Sequence, residues 1–320
     1  MDKQPEKIRL GISRCLLGEN VRYDGGHKLD RFLTETLSEY VSYVSVCPEV
    51  DCGMSIPREA LRLVGEPRAP RLVTIRTKKD YTQQMLGWAR KRVRELERED
   101  LCGFIFKSKS PSSGMERVKI YTEDNTIRSR NGSGLFARAF MDFFPLLPVE
   151  EEGRLHDPAL RENFIERIFA FRRWRELLSE KKNVGRLTAF HTRHKLLIMA
   201  HSPRHYQETG RLVARAAQQT LQDVYDTYQH LFMEALRLKA TIKKHTNVLQ
   251  HMMGFFKKVL SSDEKRELLE VIDQYHGEYV PLVVPLTLIN HYVRKYEQPY
   301  LARQYYLTPH PIELKLRNHV

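Results

Sequence analysis

The stretch LCGFIFKSKSPSSG, Leu101 to Gly114, decides how this chain is read. Its first six residues form a short, nearly continuous apolar run, the pattern of a parallel strand buried on both faces. The next eight are polar, with Pro111 and Gly114 placed to turn the backbone. A buried strand emptying into a polar loop is the unit from which parallel α/β sheets build ligand sites. Two similar units lie upstream. Lys7–Ser13 reads as a strand running into SRCLLGENVRYDGGHK, Ser13 to Lys28; Tyr43–Cys47 alternates like a short strand and enters CPEVDCGMSIPR, Cys47 to Arg58. Loops at the carboxyl ends of parallel strands gather on one edge of the sheet, so the three are expected to converge.

Between these units the apolar spacing is helical. Leu29, Phe32, Leu33 and Leu37 predict a helix over Lys28–Tyr40, and Tyr81–Asp100 and Gly134–Phe144 predict two more. Leu72–Arg76 is a further expected strand. Strands alternating with helices predict an open, mainly parallel α/β domain over residues 1–150. From Asp157 the strand signals stop. Asp157-Pro158 is a helix start, with a capping carboxylate and a proline at the first helical position. Helices are predicted over Arg161–Ser179, Gly185–Ala200, Arg211–Lys239, Thr241–Leu260, Asp263–Gly277 (capped by Ser262) and Val284–Glu297. Residues 151–320 therefore read as an all-α domain, with Pro145–Gly153 as the connection.

A chain of 320 residues has room for two domains of roughly 100–200 residues each. No run approaches the ~18 apolar residues of a membrane span. The opening MDKQPEKIRLGIS lacks the apolar stretch of a secretory leader. A cytoplasmic protein without membrane contact is expected. Residues 1–180 carry 32 basic and 28 acidic side chains, a balance of +4; residues 181–320 carry 21 and 12, a balance of +9. That excess favours an anionic partner for the C-terminal half, with nucleic acid leading and a merely solubilising basic surface as the plain alternative. Arg193, Lys195, Arg204, Arg211, Lys243 and Lys244 are the expected phosphate contacts there. His191, His194, His201 and His205 lack the flanking carboxylate of a metal motif and read as surface or interface histidines.

The four cysteines do not form the spacing of a small disulfide scaffold. Cys102, inside the apolar strand, reads as a buried hydrophobe. Cys15 and Cys47 sit in glycine- and proline-containing loops and read as soft-metal ligands, for zinc or an iron–sulfur cluster. Cys52 stays open between ligand and bystander. Glu49, two residues after Cys47, is the candidate general acid or base, set against the ordinary surface glutamate. Ser108, Ser110, Ser112 and Ser113 supply hydroxyls, or simply make a turn. Arg22, Tyr23, Lys28, Lys107 and Lys109 surround these loops with charge and an aromatic face suited to a base and its phosphate.

The three loops together resemble the thiouracil desulfidase (TudS-like) family, over roughly residues 8–150. The second half, including AFHTRHKLLIMAHSPRHY (Ala189–Tyr206), resembles the helical partner domain of YbgA-like proteins. The fused form resembles enzymes that remove sulfur from 4-thiouridine in tRNA. The resemblance implies a [4Fe–4S] cluster on three cysteines, an open fourth iron that takes the substrate's sulfur, and hydrolysis of thiocarbonyl to carbonyl with loss of sulfide. The ligand positions carried over are Cys15, Cys47 and residue 113, with Glu49 and a serine of the SPS loop, Ser110 above all and Ser108 beside it, moving protons. Where the family pattern reads SPSCG, this chain reads SPSSG. Ser113 therefore reads as a Cys-to-Ser change that impairs the cluster. The rival expectations are a desulfidase of free thiolated bases or nucleosides, and a non-catalytic zinc- or RNA-binding protein.

Overall fold

The computed structural model describes residues 7–318 of the chain. Residues 1–6, part of the opening read above for an apolar leader, lie outside the described residues. Two compact units divide the chain, Met1–His156 and Asp157–Val320. Among the described residues no helix is long and apolar enough to cross a membrane.

In the first unit the strands β1 (Ile8–Ser13), β2 (Val41–Val46), β5 (Phe104–Phe106) and β8 (Val149–Glu151) form a four-stranded, all-parallel sheet in the order β2-β1-β5-β8. The remaining strands, β3 (Leu61–Val64), β4 (Arg71–Thr74), β6 (Val118–Tyr121) and β7 (Ile127–Gly132), form a second sheet ordered β4-β3-β6-β7, of mixed direction. The helices are α1 (Pro48–Asp51), α2 (Thr82–Glu97) and α3 (Leu135–Phe143). An aromatic core fixes the parallel sheet. Phe104 and Phe106 of β5 meet Phe136 and Phe140 of α3, with Phe104 and Phe140 centroids 4.7 Å apart. All four rings are fully buried, each contributing about 2–3 kcal/mol. The Phe104 ring lies against Gly11 of β1 so closely that a Cβ there would fall 2.1 Å from a ring carbon. Gly11 is thus what lets β1 and β5 pair with that ring between sheet and helix.

Several expectations change. Lys28–Tyr40 forms only a wide helical turn over Phe32–Thr36 and a tight one over Leu37–Glu39, with 28–30 outside any helix or strand. The strand expected over Leu72–Arg76 is β4, Arg71–Thr74, but it lies in the second sheet and antiparallel to β3. Pro145–Gly153 is not a bare linker: its Val149–Glu151 completes the parallel sheet beside β5, where it is covered.

The second unit is helical, with α4 (Pro158–Ser179), α5 (Val184–His201), α6 (Pro203–Ala214), α7 (Leu221–Arg237), α8 (Ile242–Met253), α9 (Ser262–His276), α10 (Val283–Lys295) and the single turn α11 (Pro299–Ala302). Asp157 caps α4 by accepting from the Leu160 N–H at 3.0 Å. Two details differ from expectation. The long helix foreseen over Arg211–Lys239 is broken between α6 and α7, where Thr220 caps the new start. The cap of α9 is Ser261, reciprocated by Glu264 in a capping box, rather than Ser262. Trp174 of α4 stacks on Tyr228 of α7 at 5.4 Å and anchors an aromatic core with Phe190 and Phe232.

Candidate active site

The loops after β1, β2 and β5 meet at the carboxyl edge of the parallel sheet, and each pair is stitched together. After β1, Ser13 Oγ accepts from the Lys107 N–H of the β5 loop at 2.8 Å. Arg14 Nη2 donates to Asp51 Oδ1 of the β2 loop at 2.9 Å. Ser112 Oγ of the β5 loop donates to Glu49 Oε1 of the β2 loop at 2.8 Å. The third loop is also clamped from behind by α3. Ser112 O accepts from the Phe136 N–H at 2.9 Å, and Gly114 O from the Gly134 N–H at 2.8 Å. A Cβ at Gly134 would come within 2.7 Å of the Ser112 and Ser113 backbone, so only glycine allows this approach.

The loops enclose a cavity of about 410 Å³ lined by Cys15, Cys47 and Ser113 together with Glu49, Ser108, Ser110 and Ser112. Cys15 is held in the tight turn Arg14–Leu17, which Gly18 ends at a φ of 91°. Cys47 precedes Pro48 at the start of α1, and its N–H donates to Asp51 Oδ2. Both thiols are nearly buried. Burial pushes Cys15 up to about 11, with the Lys107 charge pulling it down and Cys47 adding to the rise. Burial likewise raises Cys47. Cys52 does not line the cavity; its Sγ donates to Glu49 O at 3.3 Å.

Glu49 is locked in place. Arg58 Nε donates to its Oε2 at 2.8 Å, while Arg58 Nη2 also reaches Val21 O at 3.0 Å. Ser112, on the other carboxylate oxygen, pairs with Ser110 Oγ at 3.0 Å. Ser110 Oγ in turn accepts from the Ser113 N–H at 3.1 Å. The serines expected to move protons, Ser110 and Ser108, stand at different distances from Glu49. Ser112 touches Glu49 and Ser110 stands one bond further off. Ser108 is bound elsewhere: its Oγ and N–H donate to the two oxygens of Glu152 at 2.8 and 2.7 Å. Arg58 is the residue to which the sequence reading gave no role, and Ser112 was there only one hydroxyl of four. Both lie inside the quoted motifs, but Arg58 reaches Glu49 from 9 residues along the same loop and Ser112 from another loop 63 residues away.

Of the residues expected to contact RNA, Arg22, Tyr23, Lys28, Lys107 and Lys109 line this cavity. Lys107 is ion-paired with Glu152. Those of the helical unit are scattered. Arg193, Arg211 and Lys243 are exposed. Arg204 pairs with Glu208 at 2.8 Å, and Lys195 lies 4.9 Å over the Tyr300 ring. Lys244 is half-buried, and its Nζ donates to His201 O at the end of α5 and to Lys239 O in the connection after α7. The histidines also differ from the surface reading. His191, His194 and His201 are core residues, bonded to Tyr228 Oη, Phe190 O, and Leu238 O with Glu166. Glu162, Glu166 and His310 come close enough to hold a metal ion, but Arg317 already donates to both carboxylates, at 3.1 and 2.6 Å.

Comparison with known proteins matches these two units separately. Residues 10–152 match the family described as 2-thiouracil desulfurase, and residues 195–311 a protein family of unknown function, DUF1722. The uncharacterized protein YbgA of Escherichia coli (strain K12) is 35% identical over 153 residues, 48% of this chain and 90% of the relative. A solved structure, the [4Fe-4S]-dependent thiouracil desulfidase TudS, aligns with a TM-score of 0.40 and 26% identity, covering 50% of this chain and all of that one. Fold, loops and matches define a thiouracil desulfurase-type α/β domain fused to a YbgA-like helical domain. The chain belongs to the YbgA family.

Proposed function

We propose that the first unit is an iron–sulfur desulfidase that replaces the sulfur of a thiolated pyrimidine by oxygen, and that its physiological substrate is 4-thiouridine in tRNA. The observation that carries this is one cavity lined by two buried thiols, the Ser113 hydroxyl and a fixed carboxylate. The match to the 2-thiouracil desulfurase family over residues 10–152 supports it. The donor set fits a cluster by placement, since Cys15, Cys47 and Ser113 share the cavity. It falls one thiolate short by chemistry, because a serine oxygen is a hard ligand for iron. Cys15 and Cys47 would hold the [4Fe–4S] cluster, with Ser113 at the third position. When bound, that group supplies Lewis-acid affinity for the thiocarbonyl sulfur.

The chain's own groups supply the rest. The balanced reaction is thiocarbonyl plus water giving carbonyl plus hydrogen sulfide, with no change of oxidation state. Glu49, oriented by Arg58, is placed to take a proton from the attacking water. Ser112 and Ser110 extend that hydrogen-bond chain toward Ser113. Arg22, Lys28 and Lys109 give the cavity wall positive charge, which suits a base still attached to phosphate. The volume favours a second reading as well: about 410 Å³ is an ordinary size for a small-molecule site, so a free thiolated base or nucleoside also fits.

The test uses the Ser113→Cys protein, reconstituted without oxygen and given tRNA carrying 4-thiouridine or the free thiolated base. Sulfide release and nucleoside analysis of the digested tRNA are the readouts. Faster release from tRNA supports the proposal. Release from the free base alone favours the second reading, and none from either sinks both.

A further inference from the structure

The net charge of the sequence points to the helical half as the polyanion surface, yet a uniformly basic groove lies in the first unit. It runs over the second sheet and has a volume of about 840 Å³, twice that of the thiol cavity. Arg62, Lys109, Arg117, Lys119 and Arg130 line it, and no aspartate or glutamate does. The groove and the cavity share Leu61, Lys109 and Pro111 in their walls, so one opens beside the other.

The charges are built into the sheet. Arg62, Lys119 and Arg130 stand on β3, β6 and β7, three successive strands. At about 4.8 Å between strands they spread over roughly 10 Å. Cations set that far apart can meet more than one phosphate of a nucleic-acid strand. Arg62 is only 6% exposed, its guanidinium 5.4 Å from the Tyr121 ring centre and bonded to Asn125, and its buried Nε has no protein partner. Lys119 and Arg130 are exposed. Arg117 has one neighbouring carboxylate, Glu116, at 3.5 Å. Tyr121 adds an aromatic face beside the cations, the combination on which unpaired bases stack.

We infer that this groove is the path of the RNA backbone leaving the thiol cavity, so that the desulfurase-type unit itself grips the nucleotides flanking the thiolated base. The inference rests on the RNA reading of the substrate given above. Its occupant is a ribose–phosphate strand: five cations, an aromatic ring and continuity with a base-sized cavity fit that better than an acidic peptide.

The test is binding of the full chain to a tRNA containing 4-thiouridine, by fluorescence anisotropy at several salt concentrations. Lys119→Glu combined with Arg130→Glu is expected to weaken binding at least about tenfold and to lower the log–log salt slope by about two, one per lost phosphate contact. Because both side chains are exposed, an unchanged thermal midpoint checks the fold. Arg193→Glu with Arg211→Glu, in the helical unit, is the comparison pair. Groove variants that bind within twofold of the parent overturn the inference, as does a polyglutamate peptide that competes better than RNA. Irradiation separates this from the substrate reading, since 4-thiouridine crosslinks to what it touches. An adduct on the cavity loops with normal groove-variant binding sinks the groove alone. Weak groove-variant binding with an adduct elsewhere sinks the thiolated-substrate reading, and with it the exit path, leaving the groove as an RNA-binding surface alone.

Discussion

Replacing Ser113 by Cys should convert a poor iron site into a good one. The hydroxyl of Ser113 shares the cavity with the thiols of Cys15 and Cys47, and the residue is 4% exposed, so a sulfur there faces the cavity rather than solvent. The affinity gain can be scaled from four-ligand thiolate and imidazole sites, which bind metal with about 10–16 kcal/mol, or about 3 kcal/mol per ligand. One added thiolate is then worth about two orders of magnitude in metal affinity. Burial holds Cys15 up at about 11 and raises Cys47 as well, so loading must expel protons and should strengthen as the pH rises. The assay is iron and acid-labile sulfide per chain after anaerobic reconstitution, followed by challenge with a chelator. About four of each are expected for Ser113→Cys, and far less for the parent. In the Ser113→Cys background, Cys15→Ala or Cys47→Ala should abolish loading while Cys52→Ala should not, since Cys52 Sγ lies outside the cavity wall. Equal iron in parent and variant would show that residue 113 is not a ligand position, and loss of iron on Cys52→Ala would move the third ligand there.

Three further outcomes follow from the packing. Arg58→Ala strands the Glu49 carboxylate in a site where both side chains are largely buried, at a cost of about 3–5 kcal/mol in urea denaturation; adding Glu49→Gln should recover most of it, and a double variant no more stable than the single refutes the ion-pair account. Gly134→Ala forces a Cβ onto the Ser112–Ser113 backbone and should cost about 1–3 kcal/mol while loosening the third loop, visible as faster amide exchange at residues 112–114; unchanged exchange there argues against the clamp. The helical unit should be acid-labile: burial depresses His191 to about 4 from 6.5 and drives His194 well below its usual value. A depressed histidine stabilises fully above pH 6.5 and loses that contribution as the pH falls toward 4, with His191 accounting for about 3 kcal/mol. His191→Gln should flatten the decline, and stability that is level between pH 7 and 4 contradicts it.

The way the sheet and site assemble shows which of these features a sequence can carry. Strands β1, β2 and β5 and helices α2 and α3 fall near the segments read from their periodicity, because buried strands and amphipathic helices repeat locally. The second sheet escaped that reading except for β4. Its strands are short, Arg62 interrupts the apolar run of β3, and β7 (IRSRNG) has almost no apolar residue to register. The long helix foreseen over Arg211–Lys239 broke for the same reason in reverse: helical spacing continues through Ala216–Thr220, and the stop depends on how α6 and α7 fold back on each other.

The sequence alone singled out the candidate residues. Cys15, Cys47, Glu49 and the serine loop stand in three strand–loop units, and the placement of such loops at one sheet edge follows from parallel connectivity. It also marked Ser113 as the departure from the resembled SPSCG pattern, because residue identity needs no coordinates. Tertiary structure decided the partners. That Glu49 takes Ser112 and Arg58, that Ser108 is spent on Glu152, that Lys244 donates to His201 O, and that the helical histidines are core are all long-range pairings. So is the basic groove, whose five cations are spread from residue 62 to 130 and whose lining includes no carboxylate. Net charge sums over a chain and is blind to this; a local field depends on which side chains the fold sets side by side, and on which opposite charges it turns away.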